Sequence, residues 1–206
     1  MRNQKISKAI GRKAYNLGFQ YEKVYKGCSQ CVLAAVQDLF GERNDDVFRA
    51  ATGLAGGAGL CGDSGCGGYS GGIMALSQLH GRVRENFLDP ERTRRKSFDL
   101  AKKLHDKFIA EYGSVICRDI QQKILGRGYY LRDPEEFEKF EKAGAHAEKC
   151  PSVVGNAAKW VAEILWEEGD RPKRAEKRAT RGKERPRGKS FGEKMKTPLK
   201  ISERRR

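Results

Sequence analysis

No stretch of this 206-residue chain comes near the ~20 consecutive apolar residues that a membrane-spanning helix needs. The opening MRNQKISKAIGRKAYNLGF carries positive charge without the apolar run of a secretory signal. A soluble, cytoplasmic protein with no membrane partner is therefore expected. Nowhere do apolar and polar residues alternate as they do in a half-buried strand, so the pattern predicts an all-α body, a compact multi-helix bundle.

The common catalytic signatures are also missing. Gly57-Ala58-Gly59-Leu60-Cys61-Gly62 has the spacing G-x-G-x-x-G, but no strand precedes it, which argues against a dinucleotide fold. The same stretch lacks the Gly-Lys-Ser/Thr ending of a phosphate-binding loop. No Cys-x-x-Cys-His occurs, against covalent haem attachment. No Ser/His/Asp set and no paired carboxylates can be assembled. His80, His105 and His146 fall on expected helices and read as surface or half-buried residues rather than ligands. Sequence-specific nucleic-acid recognition is not expected either, for no helix-turn-helix spacing is visible in the body.

What the chain does have is glycine and cysteine together. Ten of the twenty residues from Gly53 to Gly72 are glycine, and Cys61 and Cys66 lie among them. Such density is tolerated where a chain turns tightly or lets a backbone or ligand approach closely. In a cytoplasmic setting the six cysteines read as metal ligands or redox thiols before structural disulfides.

Helical spacing places the other four cysteines. Ile6, Ala9, Ile10, Lys13, Ala14 and Leu17 mark a first amphipathic helix that loosens at Gly18. Cys28, Cys31, Val32, Ala35, Val36 and Leu39 share one face of the next, so both thiols of the Cys28-x-x-Cys31 pair are expected to point inward. A short piece over Asp45–Leu54 leads into the glycine loop, and Ile73–Leu79 follows it. Asp89-Pro90 predicts a helix start, with Phe98, Ala101, Leu104, Phe108 and Tyr112 as its apolar stripe. Ser114 is the expected cap of a helix carrying Cys117 near its third position, Asp133-Pro134 opens another, and Cys150-Pro151 opens the last.

Cys28, Cys66, Cys117 and Cys150 thus fall at or just before helix first turns. Free amides and the positive dipole end there favour thiolate, the form that ligates metals and attacks disulfides, and predict lowered thiol pKa values. Cysteine is also a common core filler, and for Cys31 and Cys61 that reading weighs equally. Cys61-x4-Cys66 has the wrong gap for the second half of a zinc ribbon, and Tyr69 reads as a packing residue.

The blocks GCSQCVLAAV, GGAGLCGDSGCGGYSGGIMAL and YGSVICRDI, followed by Cys150 at the final helix, resemble the C_GCAxxG_C_C family of redox-active proteins over about Tyr21–Leu165. The family's cysteines correspond to Cys28, Cys66, Cys117 and Cys150. Gly68 stands where its central Cys-Gly-Ala block has alanine, and Cys31 where alanine is common. The resemblance implies redox activity. Two chemistries follow: an iron–sulfur cluster held by Cys28, Cys66, Cys117 and Cys150, with Cys31, Cys61 and the Gly67 amide around it, relaying electrons to a redox partner protein; or dithiol/disulfide cycling of those thiols, as an oxidoreductase or redox sensor. A structural zinc site ranks third, and a homodimer sharing one site stays open.

Residues 169–206 carry sixteen Lys/Arg against five Asp/Glu, a net +11, leaving 26 against 22 in residues 1–168. The chain therefore reads as a helical cysteine-rich domain, 1–168, and a basic tail, 169–206. With so few apolar residues the tail is expected to be disordered, its polyanion contacts non-specific.

Overall fold

A computed structural model describes residues 2–172. The expectation of disorder for the tail falls on residues outside that range, apart from its first four. Among the described residues there are eight α-helices and no strand: α1 (Arg2–Tyr25), α2 (Cys28–Phe40), α3 (Asp45–Ala50), α4 (Gly67–His80), α5 (Arg94–Tyr112), α6 (Cys117–Leu125), α7 (Pro134–Lys142) and α8 (Cys150–Glu167). The all-α bundle expected from the missing strand pattern is what forms.

α8 is the hub. It buries Val153, Val154, Ala157, Ala158, Trp160, Val161, Ile164 and Leu165 against α1, α2, α4 and α5. Each large apolar side chain so buried contributes about 1.5–3 kcal/mol before ordering costs. Phe108 of α5 meets Trp160 edge-on, with ring centroids 5.3 Å apart. α1 does not loosen at Gly18 but continues through it. A Cβ at Gly18 would stand 3.0 Å from the Ala158 Cβ and 3.0 Å from the Val154 carbonyl oxygen, so this glycine lets α1 lie close on α8.

The glycine-rich stretch divides into a loop and a helix. α4 begins directly after Cys66, and Gly67, Gly68, Gly71 and Gly72 form its inner face. A Cβ on Gly71 would be 2.2 Å from the Ser29 carbonyl oxygen, so α4 packs backbone to backbone on α2. Propensity alone disfavours glycine in helices, and this close approach overrides it.

α5 starts at Arg94, not at Asp89-Pro90. Asp89 still caps it, accepting the Thr93 and Arg94 amides at 2.6 and 3.1 Å from five residues upstream. Ser97, Leu100, Leu104, Phe108 and Tyr112 face inward, while Phe98, expected on the apolar stripe, is exposed. In α6 the N-cap is Ile116 and Cys117 is the first helical residue; Ser114 accepts the Ile116 amide at 3.0 Å. α7 opens as read, with Asp133 accepting the Glu135 and Glu136 amides. α8 is preceded by a π-turn, Ala145–Lys149, that runs straight into it.

A candidate thiol-lined cofactor site

Cys28, Cys66, Cys117 and Cys150 line one cavity of about 190 Å³. Separate elements deliver them. Cys28 opens α2 after two residues of positive φ, Lys26 (56°) and Gly27 (86°), which turn the chain sharply out of α1. Cys66 caps α4, and Cys117 opens α6. Three backbone hydrogen bonds fasten those two starts together: Cys66 N–H to the Val115 carbonyl (2.8 Å), Cys117 N–H to that of Ser64 (2.9 Å) and Arg118 N–H to that of Gly62 (2.8 Å). Cys150 opens α8, but the π-turn makes its start different: its N–H is already bonded to the Ala145 carbonyl, so it is not a free helix end.

Glycines let the walls close. A Cβ on Gly67 would lie 2.2 Å from Cys28 Sγ and 2.9 Å from the Ser29 nitrogen, and one on Gly57 (φ 75°) would lie 2.8 Å from the Cys117 Cβ. At Gly68 the nearest neighbours would be 3.6–3.7 Å away, ordinary contact. The rest of the lining is mostly aliphatic and aromatic, including Leu60, Ile120, Leu131, Phe137, Phe140 and Val154.

The expectation of lowered thiol pKa values is overturned at Cys28, Cys66 and Cys150. Burial first, then the charges of Glu22 and Cys66, push the Cys28 thiol up, although the Gly56 and Ser29 amides favour its thiolate. For Cys66 the hydrogen bond to Cys117 and then burial push it up; the Gly68 and Tyr69 amides oppose this without forming full capping hydrogen bonds. Burial dominates at Cys150 as well. A helix terminus stabilises an anion by up to ~2 kcal/mol, whereas removing a charge from water costs more than that. Three of the four thiols are thus held neutral in this state.

Four polar residues share the cavity, Glu22, Lys26, Gln121 and His146, and none was singled out as a site residue from the sequence. Gln121 donates its side-chain N–H to Cys117 Sγ at 3.5 Å, while its Oε1 accepts the Tyr129 amide at 2.7 Å, which fixes its orientation. Glu22 is 1 % exposed; its Oε1 lies 3.6 Å from His146 Nε2, and Oε2 has no hydrogen-bond partner in the protein. Burial pushes the Glu22 carboxyl up to about 7, with Cys31 and Lys26 pulling the other way. His146, read from sequence as a surface or half-buried residue rather than a ligand, is half-buried and bonds Glu141 Oε1 through Nδ1 at 2.7 Å, and Lys26 Nζ meets the same oxygen at 2.6 Å. The polar chain Glu22–His146–Glu141–Lys26 runs from the thiols to the surface.

Cys31 and Cys61 lie elsewhere. Cys31 donates its S–H to the Lys26 carbonyl at 3.2 Å and lines a separate surface groove with Tyr21, Tyr25 and Phe48, reaching the cavity only from behind, through Glu22. Cys61 is exposed on the glycine loop. Tyr69 packs edge-on against Phe108, as expected of a packing residue. His80 pairs with Asp170 at 2.7 Å. Among the described residues no group of three or more His, Cys, Asp or Glu side chains is placed to hold a metal ion.

The model of one family, described as putative redox-active protein (C_GCAxxG_C_C), matches residues 27–164. The chain belongs to that family. No curated protein and no solved structure matches it. In this C_GCAxxG_C_C protein the matched range contains all six cysteines, and Cys28, Cys66, Cys117 and Cys150 are the four that line the cavity. Cys31 and Cys61 are the two that do not.

Proposed function

We propose that Cys28, Cys66, Cys117 and Cys150 hold an iron–sulfur cluster and that the protein relays electrons to a partner. The observation that carries this reading is the four thiols, from four separate helix starts, around a single largely apolar cavity of about 190 Å³. Thiols spaced around a volume suit a body of several atoms better than one ion, which ranks a zinc site below a cluster. Bound there, a cluster would supply one-electron transfer. The chain's own part is to present sulfur ligands, to aim N–H groups at them from Gly56, Ser29, Gly68, Tyr69 and Gln121, and to keep water away with its aliphatic walls. Because the thiols must ionise to ligate, loading releases protons and is favoured as pH rises.

A second reading rests on a specific pair. The side-chain hydrogen bond between Cys66 and Cys117, with their helix starts fastened together, suits a dithiol. Forming the S–S bond would release two electrons and two protons to a partner's disulfide, leaving that partner as two thiols.

Anaerobic purification separates the two. The cluster reading expects brown protein with stoichiometric iron and sulfide, lost in C28S, C66S, C117S and C150S and kept in C31A and C61S. Colourless protein that binds no iron on reconstitution and loses two thiols at Cys66 and Cys117 on mild oxidation would overturn it in favour of the dithiol.

A further inference from the structure

The connection between α4 and α5 presents apolar side chains to solvent. Leu88 is 92 % exposed and Phe87 68 %, with Val83 in the same connection and Phe98 early in α5 also well out of the core. Isolated exposed leucines need no explanation, but this tip is built. Asp89 and Arg92 hold left-handed backbone, φ 51° and 56°, which costs energy at residues other than glycine. The Asp89 side chain is buried and accepts four hydrogen bonds, from the amide and hydroxyl of Thr93 and from the amide and guanidinium of Arg94. Arg82 covers the Phe87 ring at 4.3 Å and donates to the Phe87 carbonyl at 3.0 Å. These contacts fix the loop in a shape that leaves Leu88 outside.

Charge surrounds the tip. Arg82, Arg84, Arg92 and Arg95 are exposed around it, against Glu85 and Glu91. Arg84, Arg92 and Arg95 make no ion pair among the described residues. Arg82, Val83, Arg84 and Phe87 line a surface concavity of about 500 Å³, so two guanidiniums stand beside an apolar wall.

We propose that this loop is a peripheral docking site for an anionic lipid surface. Leu88 and Phe87 enter the boundary between headgroups and acyl chains, and the arginines hold the anionic headgroups, with one seated in the Arg82–Arg84 concavity. A bilayer interface takes up protruding side chains without a matching pocket, and basic residues at that depth reach back to phosphates. A protein partner would need a cleft for Leu88 and acidic groups about it. No helix among the described residues is long and apolar enough to cross a membrane, so the contact is peripheral. This runs against the sequence expectation of no membrane partner, which rested on the lack of a spanning segment, and it is independent of the chemistry at the thiols.

Flotation of the full chain with phosphatidylcholine vesicles, with and without phosphatidylserine, tests the proposal at physiological salt. The expected result is binding that depends on phosphatidylserine and falls about tenfold or more in F87A/L88A, with the melting temperature unchanged. The basic tail is common to parent and variant, so the difference reports the loop. A single L88W substitution should show a blue-shifted emission on anionic vesicles only. Equal binding by parent and F87A/L88A, no binding by either, or no L88W shift would overturn the assignment. So would a self-association abolished by F87A/L88A, which would make the occupant a second copy of this chain, or a shift of L88W caused by an acidic protein and not by vesicles.

Discussion

Glu22 is a carboxyl group in an oil-like wall, and it makes the cavity sensitive to pH. Its pKa rises from 4.5 to about 7, chiefly through burial. A folded-state value above the unfolded one means that the native protein binds more protons across that interval. The stability contributed is therefore complete below about pH 4.5 and lost as pH rises through 7. The upper limit of the loss is on the order of 3 kcal/mol. Glu22→Gln keeps the shape and removes the titration. Cofactor-free E22Q is expected to be more stable than the parent at pH 8 and to lose that advantage by pH 5, as read from melting temperatures. His146 titrates with the opposite sign, since burial lowers its pKa, but it is present in both proteins and cancels. Melting curves of parent and E22Q that stay parallel from pH 5 to 8 would remove Glu22 from the pH response. At this scale the sequence disclosed the four cysteines, because their positions at helix starts could be read from spacing. It did not disclose Glu22. Ala14, Gly18 and Glu22 follow one another at intervals of four on α1, so continuing the stripe through Gly18 would have put a carboxylate in the core. Stopping the helix at that glycine hid it.

Helix positions were legible where a cap or an apolar period marked them, as in α2, α7 and α8. They were misread where tertiary contacts set the limits. α4 absorbed four glycines because α2 lies against it, and Asp89 caps α5 from a distance that no local pattern encodes. The neighbouring glycines of α4 therefore respond oppositely to one added methyl group. At Gly68 a Cβ finds ordinary contacts with Ala157, Cys66 and Val153. G68A should gain about 0.5–1 kcal/mol from helix propensity and reduced unfolded-state freedom. At Gly67 the same methyl would sit 2.2 Å from Cys28 Sγ. G67A must push α2 from α4 or displace that sulfur, and it is expected to lose about 1–3 kcal/mol together with cofactor loading. Chemical denaturation of both variants checks the signs. Equal effects at the two positions would mean that α4 is free to shift on α2.

For the molecule as a whole, the reading of a helical body was sound, but the boundary after residue 168 cuts through contacts. Asp170 accepts a hydrogen bond from His80 at the end of α4, and the Arg171 guanidinium lies 3.8 Å over the Trp166 ring while donating to the Trp166 carbonyl. The net charge of 169–206 is strongly positive as a whole, and a sum over the segment does not show which of its residues belong to the body. Truncation after Pro172 keeps every described contact. It is expected to leave helicity, melting temperature and thiol or iron stoichiometry as in the full chain. Binding to polyanions should weaken, since residues 173–206 hold fifteen of the 42 basic residues, and whatever the full chain binds by charge should fade with added salt. Truncation after Glu168 also removes Asp170 and Arg171. Losing that hydrogen bond and the cover over Trp166 costs about 1–2 kcal/mol, which for a body of this size lowers the melting temperature by roughly 2–8 °C. Calorimetry of the two truncations beside the full chain decides it. If the shorter one melts with the longer, the folded body ends at α8; if the longer one already melts early, residues beyond 172 support it.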